Sequence, residues 1–168
     1  GASFMNKFPG MEKFNILSEE YGINDLDVIR AYFSFMMTAQ KANGRVESHL
    51  SHFGTTSTQL SILLTLYLNH NKPETAGNIS KKFGLSAPTI SNVIKTLCQK
   101  KFIKKVKDKS DKRVYKITMT EEGYRFLNGL IPEYHSRYKK IFSEFTDEEL
   151  KCLERISLKL FHNIDLFG

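Results

Sequence analysis

The chain has 168 residues, 40% of them hydrophobic and 26% charged, with a net charge of +7. That is about one globular domain, able to bury a core without metal or disulfide staples. No apolar run approaches the ~18 residues of a membrane helix, and no basic segment leads into an apolar core and cleavage site. Neither a membrane partner nor a secretory signal is therefore expected. Cys98 and Cys152 have no CxxC spacing, which fits a reducing cytoplasm.

In chain order, Gly1-Ala2-Ser3-Phe4 before Met5 reads as a cloning remnant at the head of an N-terminal tail over 1–23. Residues 24–52 form a long amphipathic segment with Leu26, Ile29, Phe33, Met36 and Met37 at helical spacing. Gly54 to Ser57 break the chain and offer N-caps to a second helix through Leu60, Leu63, Leu64, Tyr67 and Leu68. The polar stretch 69–73 ends it. Two short helices are expected over 75–83 and 86–100, parted by Gly84.

Residues 102–107 and 113–119 are β-prone, with Tyr115, Ile117 and Met119 on one face, and 108–112 is a polar turn. The pattern predicts a β-hairpin. Thr120-Glu121-Glu122-Gly123 opens a long helix, in which Pro132 is expected to cause a kink. Thr146 to Glu149 is a capping-box pattern for a last helix striped with Leu150, Leu153, Ile156, Leu160 and Phe161. The fold class is mainly α with a small β-hairpin wing: a winged helix-turn-helix over 55–123, flanked by helices over 24–54 and 124–168.

Charge is unevenly spread. Residues 72–120 carry thirteen Lys/Arg against three Asp/Glu, whereas the rest of the chain is mildly acidic. Such a block is the footprint of a polyanion-binding surface, or of a lysine-rich face that meets only solvent. The second short helix separates these alternatives. Ile90, Val93, Ile94 and Leu97 form its inward stripe, and Ser86 is its cap. Its other side carries Pro88, Thr89, Ser91, Asn92 and Lys95, which are short, polar and mostly uncharged. Small hydroxyl and amide groups reach base edges in a major groove, and a helix N-terminus favours phosphate. No acidic residue occurs over 81–107. The hairpin then brings Lys107, Lys112 and Arg113, with Lys105 and Lys109 nearby. An arginine at a ribbon tip suits a narrow, electronegative minor groove, and Asp111 two residues earlier can orient its guanidinium.

With these residues in place the chain resembles the MarR/SlyA family of winged-helix regulators. The resemblance rests on the helix-turn-helix over 75–97, the junction Leu97-Cys98-Gln99-Lys100-Lys101-Phe102-Ile103, and Asp111-Lys112-Arg113 followed by Ile117 to Gly123. It implies a homodimer formed by the first and last helices, a recognition helix starting near Ser86, a wing whose Arg113 reaches the minor groove, and a pseudo-palindromic operator. Lys101 departs from the family's usual Gly, and Met119 from its usual Leu. The apolar content of the terminal helices argues separately for a second copy, since a core of this size could not cover it.

The expected function is a sequence-specific double-stranded DNA-binding regulator, a repressor released by a small-molecule or oxidant effector. A winged-helix module that binds an acidic protein is the alternative. No cofactor is expected. His49 and His52 lie on one helical face near Glu47, without the further ligands a metal site needs. Cys98 and Cys152 read as small hydrophobes rather than redox centres. Met36, Met37, Phe33 and Phe53 suit either an effector pocket or plain packing. No Ser-His-Asp set, phosphate-cradling glycine loop or paired carboxylates suggests an enzyme.

Overall fold

A computed structural model describes residues 11–168; the expected cloning remnant lies outside the described residues. A 3-10 turn at Met11–Lys13 leads into helices α1 (Asn15–Tyr21), α2 (Leu26–Ser51) and α3 (Ser57–Leu68). Strand β1 (Glu74–Thr75) and helices α4 (Ala76–Phe83) and α5 (Ala87–Gln99) follow. Then come β2 (Ile103–Lys107), β3 (Tyr115–Met119), α6 (Glu121–Ile141), α7 (Asp147–Asn163) and a last 3-10 turn, Ile164–Phe167. The chain divides into two compact units, one up to Leu60 and the other from Ser61.

In the first unit, α1 falls within the segment expected as a tail. It ends on Gly22, whose φ of 67° permits the left-handed stop. Phe14 meets Phe33 edge to face at 5.5 Å between centroids, and the Ser34 hydroxyl reaches Met11. In α2 only Leu50 is buried; Val28 stays 65% exposed, and Phe33 and Phe35 are exposed too. Glu47 accepts hydrogen bonds from the Ser57 backbone and hydroxyl, which satisfies donors at the start of α3.

The second unit holds the main core: Ile62, Leu63, Leu66, Ile79, Ile90, Ile94, Leu97, Ile103, Ile117, Met119, Leu127, Leu130 and Tyr134. Polar caps fix where α4, α5 and α6 begin. Thr75 accepts from Asn78, Ser86 from Thr89, and Thr120 from Gly123. Gly84 supplies the left-handed turn between α4 and α5 at φ 62°. The strands form an antiparallel sheet in the order β1-β3-β2, with Ile103 opposite Met119 and Lys107 opposite Tyr115. The third strand, β1, pairs Glu74 with Ile117 and was not legible in the sequence. Two residues carry no periodicity, so only the partner strand reveals them.

Helix α6 continues through Pro132 as one element, with Gly123, Leu127, Leu130 and Tyr134 buried. The Pro132 ring is on the exposed side. A complete capping box of Thr146 and Glu149 starts α7, as the sequence pattern predicts. No residue of α7 is buried, although Leu153, Ile156, Leu158 and Phe161 line it. Among the described residues no helix is long and apolar enough to cross a membrane.

Candidate nucleic-acid interface

The interface begins with the packing of α5. Ile90, Ile94 and Leu97 are buried, and Val93 is half-buried. This stripe turns Ser86, Pro88, Thr89, Ser91, Asn92 and Lys95 outward, and all six are exposed. Ser86 combines two tasks: its Oγ accepts from the Thr89 backbone N–H at 3.3 Å and lies 2.8 Å from the Thr89 hydroxyl. The two side chains are thus committed to each other at the helix start, while Ser91, Asn92 and Lys95 project one turn further on.

The wing turn holds Asp111 and Arg113. The Asp111 carboxylate accepts the Arg113 backbone N–H at 3.0 Å and its Nε at 3.2 Å, with Nη2 at 3.5 Å. The Arg113 side chain is nonetheless 92% exposed. An ion pair this exposed adds little stability. Its consequence is directional, because a tethered guanidinium points off the turn rather than folding back on the strands. Lys112 is exposed beside it.

The three acids of the basic block are each paired with a base. Besides Asp111 with Arg113, Glu74 meets Lys82 at 3.3 Å and Asp108 meets Lys116 at 3.7 Å. Partial burial alone would raise the Glu74 carboxyl, but bonds from Asn78, Lys82 and Thr75 outweigh it and hold the pKa below the usual range. Asp108 is also held low, first by the Ser110 hydroxyl at 2.9 Å. Both stay anionic and locally neutralise single lysines, so the block keeps its positive excess.

Lys107 is exposed on β2 and sits with Lys105 over Tyr115, each ammonium 6.0 Å from the ring centroid. Tyr115 was expected to share a face with Ile117 and Met119. Only the last two are buried, whereas Tyr115, at the tip end of β3, is 47% exposed. The strand has outrun the core there. A cleft of about 300 Å³ links helix and wing, lined by Ser91 and Ile94 of α5, Lys105 of β2, and Val114, Tyr115 and Ile117 of the hairpin. It also touches Thr75, Ala76 and Gly77. The structure therefore brings Ser91 beside the wing strands, joining two elements that the sequence could only list in order.

Three further residues support the site: the sequence singled out Lys101 and Gly123 without showing what they do there, and Asn71 escaped it. Lys101 has a left-handed φ of 62°, closing a Schellman turn in which Phe102 N–H donates to Leu97 O and Lys101 N–H to Cys98 O, both at 3.0 Å. Gly123 lies against that turn: a Cβ there would collide with the Phe102 carbonyl oxygen and stand 2.6 Å from Met119 Cγ. Asn71 bonds to the end of β3. Cys98 and Cys152 are both half-buried thiols. Burial pushes the Cys98 pKa up, and Lys105 only partly offsets it. His49 and His52 have ring centroids 6.4 Å apart, and among the described residues no three His, Cys, Asp or Glu gather as metal ligands. Met36 and Met37 are half-buried on α2; Phe53 is exposed, 5.3 Å from the His49 ring.

Comparison with known proteins places these features in company. The sequence profile of the MarR family matches residues 55–115. The uncharacterized HTH-type transcriptional regulator YwaE of Bacillus subtilis (strain 168) is 30% identical over 141 residues, 83% of this chain and 81% of YwaE. Among solved structures, a MarR/EmrR family transcriptional regulator from Acinetobacter sp. ADP1 superposes with a TM-score of 0.71 at 27% identity, over 86% of this chain and 99% of that one. The S. aureus MepR–DNA complex shares the fold, with a TM-score of 0.69 at 22% identity over 79% of this chain and 95% of MepR.

Proposed function

Because this chain belongs to the MarR family, we propose that it is a transcriptional repressor that binds double-stranded DNA in a sequence-specific manner. It acts as a homodimer on a pseudo-palindromic operator and is released by a small-molecule effector. The observation that carries the reading is the joint exposure of the short polar face of α5 and the tethered Arg113 at the wing tip. Ser91 and Asn92 are the base readers, Lys95, Lys107 and Lys112 the phosphate contacts, and Arg113 the minor-groove probe. MepR, of the same fold, has been solved as a DNA complex.

The dimer accounts for the apolar side chains that each unit leaves uncovered. Within the second unit these include Ile156 at 52%, Phe161 at 68% and Phe167 at 87% exposure. A second copy burying the same patch twice is the simplest closed solution. Two-fold symmetry then sets two recognition helices about one DNA turn apart, roughly 34–36 Å. The effector has a candidate seat in the cleft behind Ser91, where apolar walls and Lys105 suit a small apolar anion. An occupant there would press on both DNA-reading elements.

The direct test is Arg113→Ala, with affinity measured at fixed salt on a duplex recovered by selection from random sequence. A loss of about 1–3 kcal/mol is expected. Unchanged affinity would remove the wing from the mechanism, and retention on acidic protein but not on DNA would favour the protein-binding alternative.

A further inference from the structure

We propose that Asn71 is the positioning residue of the wing: its carboxamide stands in for a missing strand residue and fixes the root of β3, and so sets how Arg113 meets DNA. The inference rests on the DNA-binding reading above and names a part of that same interface.

Helix α3 ends at Leu68 in a Schellman turn, with Asn71 N–H donating to Leu66 O at 2.7 Å and His70 N–H to Tyr67 O at 3.1 Å. His70 and Asn71 are both left-handed, at φ 53° and 55°. Asparagine tolerates that conformation better than most residues, so the turn aims its side chain without needing glycine. The aim is specific. Asn71 Oδ1 accepts the Met119 backbone N–H at 2.7 Å, and Asn71 Nδ2 donates to the Met119 carbonyl at 3.1 Å. Both main-chain groups of the last residue of β3 are therefore taken by one side chain, 48 residues away in sequence.

The ladder explains why a carboxamide is needed. β1 pairs Glu74 with Ile117. Carried two residues further, that register would set Lys72 opposite Met119. Lys72 cannot fill the place, because its N–H donates to Asn69 O at 3.1 Å in the turn. Met119 is 3% exposed, so its backbone groups would otherwise lose hydrogen bonds away from water, which is costly. A carboxamide carries a carbonyl and an N–H donor in peptide-like geometry and so mimics the missing strand unit. Its removal leaves the root of β3 held on its β2 side alone, where Ile103 lies opposite Met119, and a small rotation there swings the turn holding Asp111 and Arg113 at the other end of the strand.

Asn71→Gly tests the idea cleanly, since glycine accepts the left-handed turn without strain and deletes only the clamp. Binding to the selected duplex should weaken about fivefold, the value of one modest net hydrogen bond. In an Arg113→Ala background the same change should cost clearly less than in the wild type, because most of the clamp's effect runs through Arg113 and only the remainder through Lys107 and Lys112 of the wing. Hydrogen exchange of the full chain without DNA should show faster exchange at the Met119 amide, with α5 amides unchanged. Asn71→Asp, which keeps the acceptor but sets a carboxylate against the Met119 carbonyl, should behave like Asn71→Gly. Wild-type affinity for Asn71→Gly while Arg113→Ala is weakened would overturn the clamp alone. So would a loss that persists undiminished in the Arg113→Ala background. Equal wild-type affinity for selected and random duplex would instead overturn the DNA reading and, with it, the role given to Asn71.

Discussion

Lys101, Gly123 and Cys98 lie around the junction of α5, β2 and α6, and each carries a consequence at the scale of one residue. Lys101 holds a left-handed φ of 62° that side chains with a Cβ resist. Lys101→Gly should therefore raise stability by about 0.5–1 kcal/mol, the relieved strain exceeding the extra chain entropy of glycine. Thermal or urea unfolding reads this directly; a destabilised variant would mean that the lysine side chain contributes more than the strain it bears. Gly123 is the opposite case. Gly123→Ala forces a methyl group onto the Phe102 carbonyl and Met119 Cγ, at an expected cost of about 1–3 kcal/mol. An unchanged urea midpoint would contradict the close approach. For Cys98 the folded pKa is raised, chiefly by burial. Its neutral form is the favoured one, so its contribution to stability is present below the unfolded thiol pKa and fades as pH rises through the folded value. Alkylation near pH 7.5 should be slower than for a free thiol, and rapid labelling there would revive the oxidant-sensing reading.

At the scale of elements, α5 and the wing contribute differently, and substitutions should separate them. Changing Ser91 or Asn92 on the exposed face of α5 should alter which base pairs are preferred. Lys107→Ala should weaken all duplexes alike and lower the salt slope by about one. Identical sequence preferences for Asn92→Ala and wild type would take α5 out of base reading. The helices that form this site were legible because their signals are local: Ser86 at an N-cap, Thr120 at the opening of α6, Gly84 in the turn, and an apolar stripe along α5. That Thr75 caps α4 rather than beginning it came from the structure. The Asp111–Arg113 bond was legible for the same reason, being two residues long. What escaped depends on distant partners. β1 is a strand only because Ile117 and Lys116 lie opposite it, and Asn71 looked like turn filler until Met119 was set beside it. Helix α1 was hidden in an unremarkable tail, and Tyr115 matched the strand alternation yet sits beyond the reach of the core.

On the scale of the whole molecule, the proposed function needs two chains. Helix α7 buries nothing of its own, and its apolar side chains are the expected contact. Ile156→Asp combined with Phe161→Asp should give a monomer in sedimentation, with helix content retained and operator affinity lost. A dimer that survives both charges would move the interface elsewhere. In the proposed function a polar recognition helix and an arginine-tipped wing read one duplex together, once in each half of a symmetric pair. Selection from random DNA, followed by titration of the recovered and scrambled duplexes at one salt concentration, tests it most directly. A two-fold symmetric sequence bound about 10³-fold or more tightly than the scrambled one is expected. Equal affinity for the two duplexes would contradict it.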